Sequence, residues 1–191
     1  PGATAAAVRR AAELAPDAPM VQAALVKLAI SERRYDQGLV TARKVQAQRP
    51  DEAEGFNMEG DIELQRKNWD AAAAALRKAM GKRQPGDAAQ RLHAALWAGK
   101  KTAEADQLAA EWRKAHPDDT GFALHLGDLA LAGGNAVQAE ALYREVVDKQ
   151  PGNVIALNNL AYVTVLQKKP GAVALAEKAL AMAPASASVM D

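Results

Sequence analysis

The sequence predicts an all-α fold built from repeated helix–turn–helix units. Three observations predict it. Pro16, Pro50, Pro85, Pro117, Pro151 and Pro184 stand 34, 35, 32, 34 and 33 residues apart, so six of the nine prolines share one phase. Proline cannot continue a helix and restrains the residue before it, so each one marks a helix stop. Between these stops apolar residues recur at helical spacing, with one short polar or glycine break per period. Alanine is abundant and aromatics make up only 4% of the chain, which favours helix over sheet.

The elements follow in order. Residues 3–15 read as a lone helix, the second half of a preceding repeat. Five helix pairs, A then B, are expected at 19–32/35–49, 53–66/69–82, 87–98/102–115, 120–132/136–149 and 154–167/171–182. The whole chain, 1–191, is expected to be one array. Its repeats span about 19–52, 53–85, 86–119, 120–152 and 153–186, with partial repeats at 1–18 and 187–191. Both ends are expected to cut through a continuing array, whose apolar faces need neighbours. No linker or second domain is expected.

The fourth repeat is the clearest. In "TGFALHLGDLALAGGNAVQAEALYREVVDKQP", Leu126-Gly127 is followed by Ala130, Ala139, Tyr143 and Pro151. The first repeat has Leu25-Val26, Ala29, Gly38, Ala42 and Pro50 at the same places, and the second has Glu59-Gly60, Ala72, Leu76 and Pro85. The third has Leu92-His93, Leu96, Ala105, Ala109 and Pro117, and the fifth Leu160-Ala161, Ala172, Ala176 and Pro184. Gly60, Gly127 and Ala161 are expected where helix A crosses helix B, opposite Gly38, Ala72, Ala105, Ala139 and Ala172. Small residues on both sides would let the helices approach closely. Val26 and His93 break this rule.

This spacing resembles the tetratricopeptide repeat (TPR) over essentially the whole chain. The resemblance implies a right-handed superhelical solenoid of about five repeats with a concave groove lined by the A helices. The segments "GFNMEGD", "EWRKAHPDD" and "ALNNLAYVTVLQKKPGAVALAEKALAMAP" further resemble the C-terminal repeats of the TPR lipoproteins of the PEP-CTERM/exosortase system of Gram-negative bacteria. That narrower resemblance covers about Gly2 to Asp191, and "SVMD" looks like the first residues of a following repeat. It implies an exported, membrane-anchored scaffold linked to exopolysaccharide and protein sorting, periplasmic or associated with the outer membrane.

Charge and composition exclude several classes. Lys+Arg is 24 against Asp+Glu 23, a balance that gives no basic stripe for nucleic acid. No cysteine is present, which removes disulfides, zinc–thiolate sites and thiol catalysis. No stretch reaches the ~18 apolar residues of a membrane helix, and no signal peptide is visible, so membrane association is expected only through regions outside this chain. The histidines His93, His116 and His125 form no metal pair at helical spacing. Gly133-Gly134 reads as an inter-helix turn rather than a phosphate loop. No catalytic residue, metal or cofactor is expected.

The expected activity is binding. The resemblance implies that repeat positions 2, 5, 9 and 12 point into the groove, and these also share one helical face. From the second and third repeats they supply Glu54, Asn57, Asp61 and Leu64, then Asp87, Gln90, Ala94 and Trp97. From the fourth and fifth they supply Gly121, Leu124, Asp128 and Leu131, then Ile155, Asn158, Tyr162 and Val165. The first repeat gives Met20, Ala23, Lys27 and Ile30. The candidate binding set is Glu54, Asn57, Asp61, Asp87, Gln90, Trp97, Asp128, Asn158 and Tyr162. Its carboxylates meet no basic residue at these positions, whereas Arg43, Lys44, Arg77, Lys78, Arg113 and Lys114 fall on B helices. An acidic inside and a more basic outside are therefore expected.

The expected partner is an extended protein or peptide segment. A polysaccharide is an alternative if Trp97 and Tyr162 stack on sugar rings. A cytoplasmic adaptor of the same build is the other competing class. Trp69 and Trp112 are assigned to the core. The carboxylate clamp of chaperone-binding TPR domains is not expected: its positions hold Ala23, Lys27, Met58, Asp87 and Arg91, and only Arg91 fits.

Overall fold

The computed structural model describes residues 2–83 and 85–182. Pro184 and the partial repeat at 187–191 lie outside the described residues. Eleven helices are present among them: α1 (Gly2–Leu14), α2 (Pro19–Ser31), α3 (Tyr35–Gln48), α4 (Glu54–Gln65), α5 (Trp69–Met80), α6 (Ala88–Ala98), α7 (Thr102–Ala115), α8 (Thr120–Ala132), α9 (Ala136–Lys149), α10 (Val154–Leu166) and α11 (Ala172–Met182). Every expected helix is there, α7, α8 and α9 with the expected ends and the others with ends moved by one or two residues. The trimming has a local cause. After α2 the Glu32 N–H still reaches Leu28 O at 2.9 Å, and then Arg33 takes φ 57° and turns the chain. Among the described residues β-type pairing is limited to one isolated bridge, Glu52 to Arg83.

The chain divides into two compact units, Pro1–Ala110 and Glu111–Asp191, with the division inside α7. The N-terminal unit has two buried clusters. One is aliphatic: Val26, Leu39, Val45, Met58 and Ile62 around Ala42. The other is built largely of alanine: Ala53, Ala72, Ala73, Ala79, Ala88, Ala95 and Ala105, with Leu76, Leu92 and Leu96 between them. Alanine loses no side-chain entropy in a helix and lets neighbours approach, so these helices are both easily formed and closely packed. The C-terminal unit buries Ala139, Tyr143, Leu160 and Val163 in one cluster and Ala123, Val146 and Ala156 in another.

The helix crossings differ from the small-against-small expectation. A Cβ added to Gly127 would lie 2.6 Å from Tyr143 Cε1, and one on Gly60 would lie 2.7 Å from Leu76 Cγ. Each glycine therefore makes a notch for a large side chain of helix B, rather than facing Ala139 or Ala72. The reason is geometric: side chains four residues apart share a helix face, and the larger of the two fills the gap. Gly38 does meet a small partner, Ala29, together with Ile62.

Trp69 and Trp112 are half-buried rather than core residues. Trp112 has a polar reason to stay near the surface: its indole N–H donates to Asp119 Oδ2 at 2.8 Å. Its ring stacks on His116 with centroids 3.8 Å apart.

Candidate functional site

In the N-terminal unit the expected binding residues stand on α4 and α6. Glu54, Asn57 and Asp61 are spaced along α4. Asp87 precedes α6, and Gln90 and Trp97 lie on it. The residue that organises them is Arg91, next to Gln90. Its Nη1 donates to Asp61 Oδ1 at 2.6 Å, and its Nη2 donates to Asp87 Oδ1. One guanidinium thus joins two carboxylates, one from α4 and one from the start of its own helix. Glu54 is engaged in the same manner: Arg49 Nη2 donates to Glu54 Oε2 at 2.7 Å and to the buried Gln22 Oε1 at 3.0 Å.

The acidity expected of this face is therefore relieved by arginines. Arg91 lies one residue outside the face positions and Arg49 follows the end of the B helix α3, so the face positions include neither. Their signal in one dimension is partial. Asp87 and Arg91 are an i,i+4 pair, and the pairing of α4 with α6 adds Asp61 to it.

Asn57 donates from Nδ2 to Pro85 O at 3.2 Å. Its Oδ1 is buried without a hydrogen-bond partner, and so is Arg91 Nε. An unsatisfied buried polar atom costs about 1–3 kcal/mol, so both atoms are places where another hydrogen bond would be gained. Trp97 is 45% exposed on the same helix as Arg91, and its ring lies nearly parallel to that of the buried His93, 6.5 Å away. The face offers carboxylates, a fixed guanidinium, amides and one open indole on two packed helices.

In the C-terminal unit the corresponding residues stand on α8 and α10. Asp128 Oδ1 accepts from Tyr143 Oη at 2.8 Å and from Asn159 Nδ2 at 3.0 Å. Asn159, not its neighbour Asn158, makes this link between repeats, and Asn158 is half-buried beside it. Burial and the Asp128 carboxylate hold the Tyr143 phenol neutral, pushing its pKa above the usual tyrosine range. His125 titrates below its ordinary value because it is partly buried, with Asp128 opposing the shift. Tyr162 is 55% exposed, between the exposed Ile155 and Val165. This face is thus apolar and aromatic where the N-terminal one is charged.

Of the B-helix cations, Arg77 pairs with Glu104, Lys44 with Asp17 at 2.8 Å and Arg113 with Glu145 at 2.6 Å. Ion pairing accounts for much of the expected basic outside. Among the described residues no group of three or more His, Asp or Glu side chains could hold a metal ion. No described helix is long and apolar enough to cross a membrane.

A family model described as tetratricopeptide repeat matches residues 23–88, 94–154 and 124–188. The chain belongs to the tetratricopeptide repeat family. Solved TPR structures share the fold at low identity. PilW, described as a widely conserved type IV pilus biogenesis factor, is 15% identical; the match covers 97% of this chain and 87% of that one, with a TM-score of 0.67. MamA is 16% identical, over 84% of this chain and 95% of that one, with a TM-score of 0.60. YrrB, described as a TPR protein with an unusual peptide-binding site, is 16% identical over 96% of both chains, with a TM-score of 0.55. No curated protein matches the chain.

Proposed function

We propose that this TPR protein is a non-catalytic scaffold that holds an extended protein segment on the A-helix face of its repeats. One observation carries the reading: Asp61, Asp87 and Arg91 form a fixed charged cluster across α4 and α6, and α6 also carries an indole that is open to solvent. Such a face is pre-organised, because packed helices hold the groups in place before a partner arrives. Charged and polar groups set which segment docks, and Trp97 is an anchor of the kind that dominates interface energies. The description of YrrB as a peptide-binding TPR protein agrees with this class of activity.

The setting we propose is exopolysaccharide production or export with protein sorting, in the periplasm or at the outer membrane. Its support is the likeness of "GFNMEGD" and "ALNNLAYVTVLQKKP" to the exosortase-system lipoproteins. A second reading, a polysaccharide partner, is favoured by the exposure of Trp97 and Tyr162.

The test is a pull-down from a Gram-negative exopolysaccharide producer, read by mass spectrometry. Wild type is compared with Asp61→Asn/Asp87→Asn and with Trp97→Ala. Capture by wild type and loss in both variants, with unchanged circular dichroism, supports the scaffold reading. Equal capture by all three overturns it. Quenching of Trp97 fluorescence by neutral oligosaccharide, with no captured protein, moves the assignment to the second reading.

A further inference from the structure

The turns from helix A to helix B carry a feature that the binding face does not use. In three turns of the N-terminal unit a cation sits at positive φ: Arg33 at 57°, Lys67 at 60° and Lys100 at 60°. Glycine adopts this conformation at least cost, and other residues are strained in it. The fourth repeat does place a glycine there, Gly134 at φ 78°. The N-terminal unit keeps a long cation instead at all three turns.

Each of these turns has a second cation, and the second one is accounted for. Arg66 Nη1 lies 3.2 Å from Asp36 Oδ1, and Lys101 Nζ lies 2.7 Å from Asp70 Oδ1. Both carboxylates open helix B of the preceding repeat, so these pairs tie one repeat to the next. Arg34 lies 3.4 Å from Glu32. Arg33, Lys67 and Lys100 are exposed and form no ion pair among the described residues. The strained cation is thus the surplus one at every turn. Strain kept in the same place in successive repeats points to a use for the side chain.

At the first of these turns the surplus charge meets a cavity. Arg33, Arg34 and Arg66 line an open pocket of about 400 Å³ together with Tyr35, Asp36 and Gln37. Its one carboxylate, Asp36, is already engaged by Arg66. Guanidinium forks receive a carboxylate through two parallel hydrogen bonds, and a lysine ammonium acts as a point charge.

We propose that the A-to-B turn edge of the N-terminal unit docks an acidic peptide segment, with one carboxylate seated among Arg33, Arg34 and Arg66 and further ones along Lys67 and Lys100. The chemistry selects this partner over two others. Duplex nucleic acid carries a charge every ~1.7 Å and calls for a continuous basic stripe, whereas this edge supplies one surplus cation per repeat. A membrane surface would use exposed apolar residues beside the cations, and the aromatics that follow two of these turns, Tyr35 and Trp69, are half-buried. The edge is separate from the A-helix face, so it stands or falls independently of the scaffold reading.

The experiment titrates the whole chain into a fluorescein-labelled poly(Glu-Gly) peptide and into its poly(Gln-Gly) counterpart at low salt. Wild type should bind the first and not the second. Arg33→Gly/Lys67→Gly/Lys100→Gly should bind about tenfold more weakly, as the sum of three exposed charge pairs. Its melting temperature should hold or rise, because glycine relieves the strained turns. Arg43→Gln/Lys44→Gln/Lys78→Gln removes the same charge from B helices and should bind like wild type. The proposal is overturned by absence of wild-type binding or by equal weakening in the two triples. It is also overturned if the wild type binds only duplex DNA or phosphatidylglycerol vesicles.

Discussion

Helices α8 to α10 of the C-terminal unit start on side-chain caps, and α2 to α6 of the N-terminal unit do not. Asp119 accepts from Phe122 N at 2.9 Å, Asn135 from Gln138 N at 3.1 Å and Asn153 from Ala156 N at 3.0 Å. Ala18, Arg34, Ala53, Asn68 and Asp87 stand at the N-caps of α2 to α6, and none of these side chains makes a capping bond. The N-terminal unit relies on side chains that reach into the next repeat: Arg49 to Glu54, Gln46 to Glu59 and Arg91 to Asp61. Polar links between repeats occur in both units, as in Asn159 to Asp128 and Lys169 to Glu140, and what the C-terminal unit adds is local capping. Substitutions at helix starts should matter in the C-terminal unit and be nearly silent in the N-terminal one.

The largest effect is expected at the helix crossing of the fourth repeat. Gly127→Leu would drive a branched side chain into the Tyr143 ring, which the bond from its hydroxyl to Asp128 holds in place. Overpacking of this kind costs about 1–3 kcal/mol in an adaptable core, and a pinned ring puts it at or above the top of that range. A thermal melt followed by circular dichroism should shift strongly downward. An unchanged melt would show that helices α8 and α9 can separate freely. Gly60→Ala, which meets Leu76 in the N-terminal unit, should be milder than Gly127→Ala, because an aliphatic chain can change rotamer where the tethered ring cannot.

The capping contrast gives the next effect. Asp119→Ala removes the cap on α8 and the acceptor for the Trp112 indole, together about 2 kcal/mol. Asp87→Ala removes a residue from the same position of α6, where no capping bond exists, and loses only a largely exposed ion pair, about 0.2–1 kcal/mol. Urea melts of the two variants separate these values. Equal losses would mean that capping does not distinguish the units.

A smaller effect follows from Glu140, whose carboxylate accepts from Lys169, Arg144 and Gln167. Lys169 contributes most to holding its pKa down, at about 2 against an ordinary 4.5. The folded pKa is depressed, so this stabilisation is fully present above about pH 4.5 and is lost as pH falls towards 2. Glu140→Gln should flatten the acid limb of stability and leave the neutral region nearly level. Urea midpoints taken between neutral pH and the acid limb measure it, and an unchanged acid slope would remove Glu140 from the account.

Much of the architecture was legible because it rests on signals repeated in one dimension. Pro50, Pro117 and Pro151 stand two residues past the ends of B helices and Pro85 five, once per period, and the apolar spacing between them marks the helix pairs. What failed was reasoning about which residues meet across a crossing. Gly127 and Ala139 are the matched small positions in sequence, yet Tyr143 fills the notch. The candidate face suffered in the same way. Asp61 reads as a free carboxylate until α4 and α6 are placed side by side, and then it shares Arg91 with Asp87, the i,i+4 partner on Arg91's own helix. Asn159 rather than Asn158 reaches Asp128, a difference of one residue that helical spacing alone does not resolve. The caps Asp119, Asn135 and Asn153 were visible as residue types that favour helix starts, a signal that periodicity does not use.

The smallest effect separates backbone strain from everything else, within the C-terminal unit alone. Lys168 sits at φ 53° and Gly134 at φ 78°, at the A-to-B turns of successive repeats. A left-handed conformation costs a residue with a Cβ roughly 1–2 kcal/mol, and glycine gives back about 0.5–1 kcal/mol of that through its freer unfolded chain. Lys168→Gly should therefore stabilise by about 0.5 kcal/mol, and Gly134→Lys should destabilise by a similar amount. A Cβ on Gly134 would meet nothing within 4 Å, so packing does not enter that substitution. If both variants shift the melt in the same direction, the turn conformation is not what the residue type controls. A lysine at positive φ would then carry no strain, and Arg33, Lys67 and Lys100 would sit at their turns at no cost.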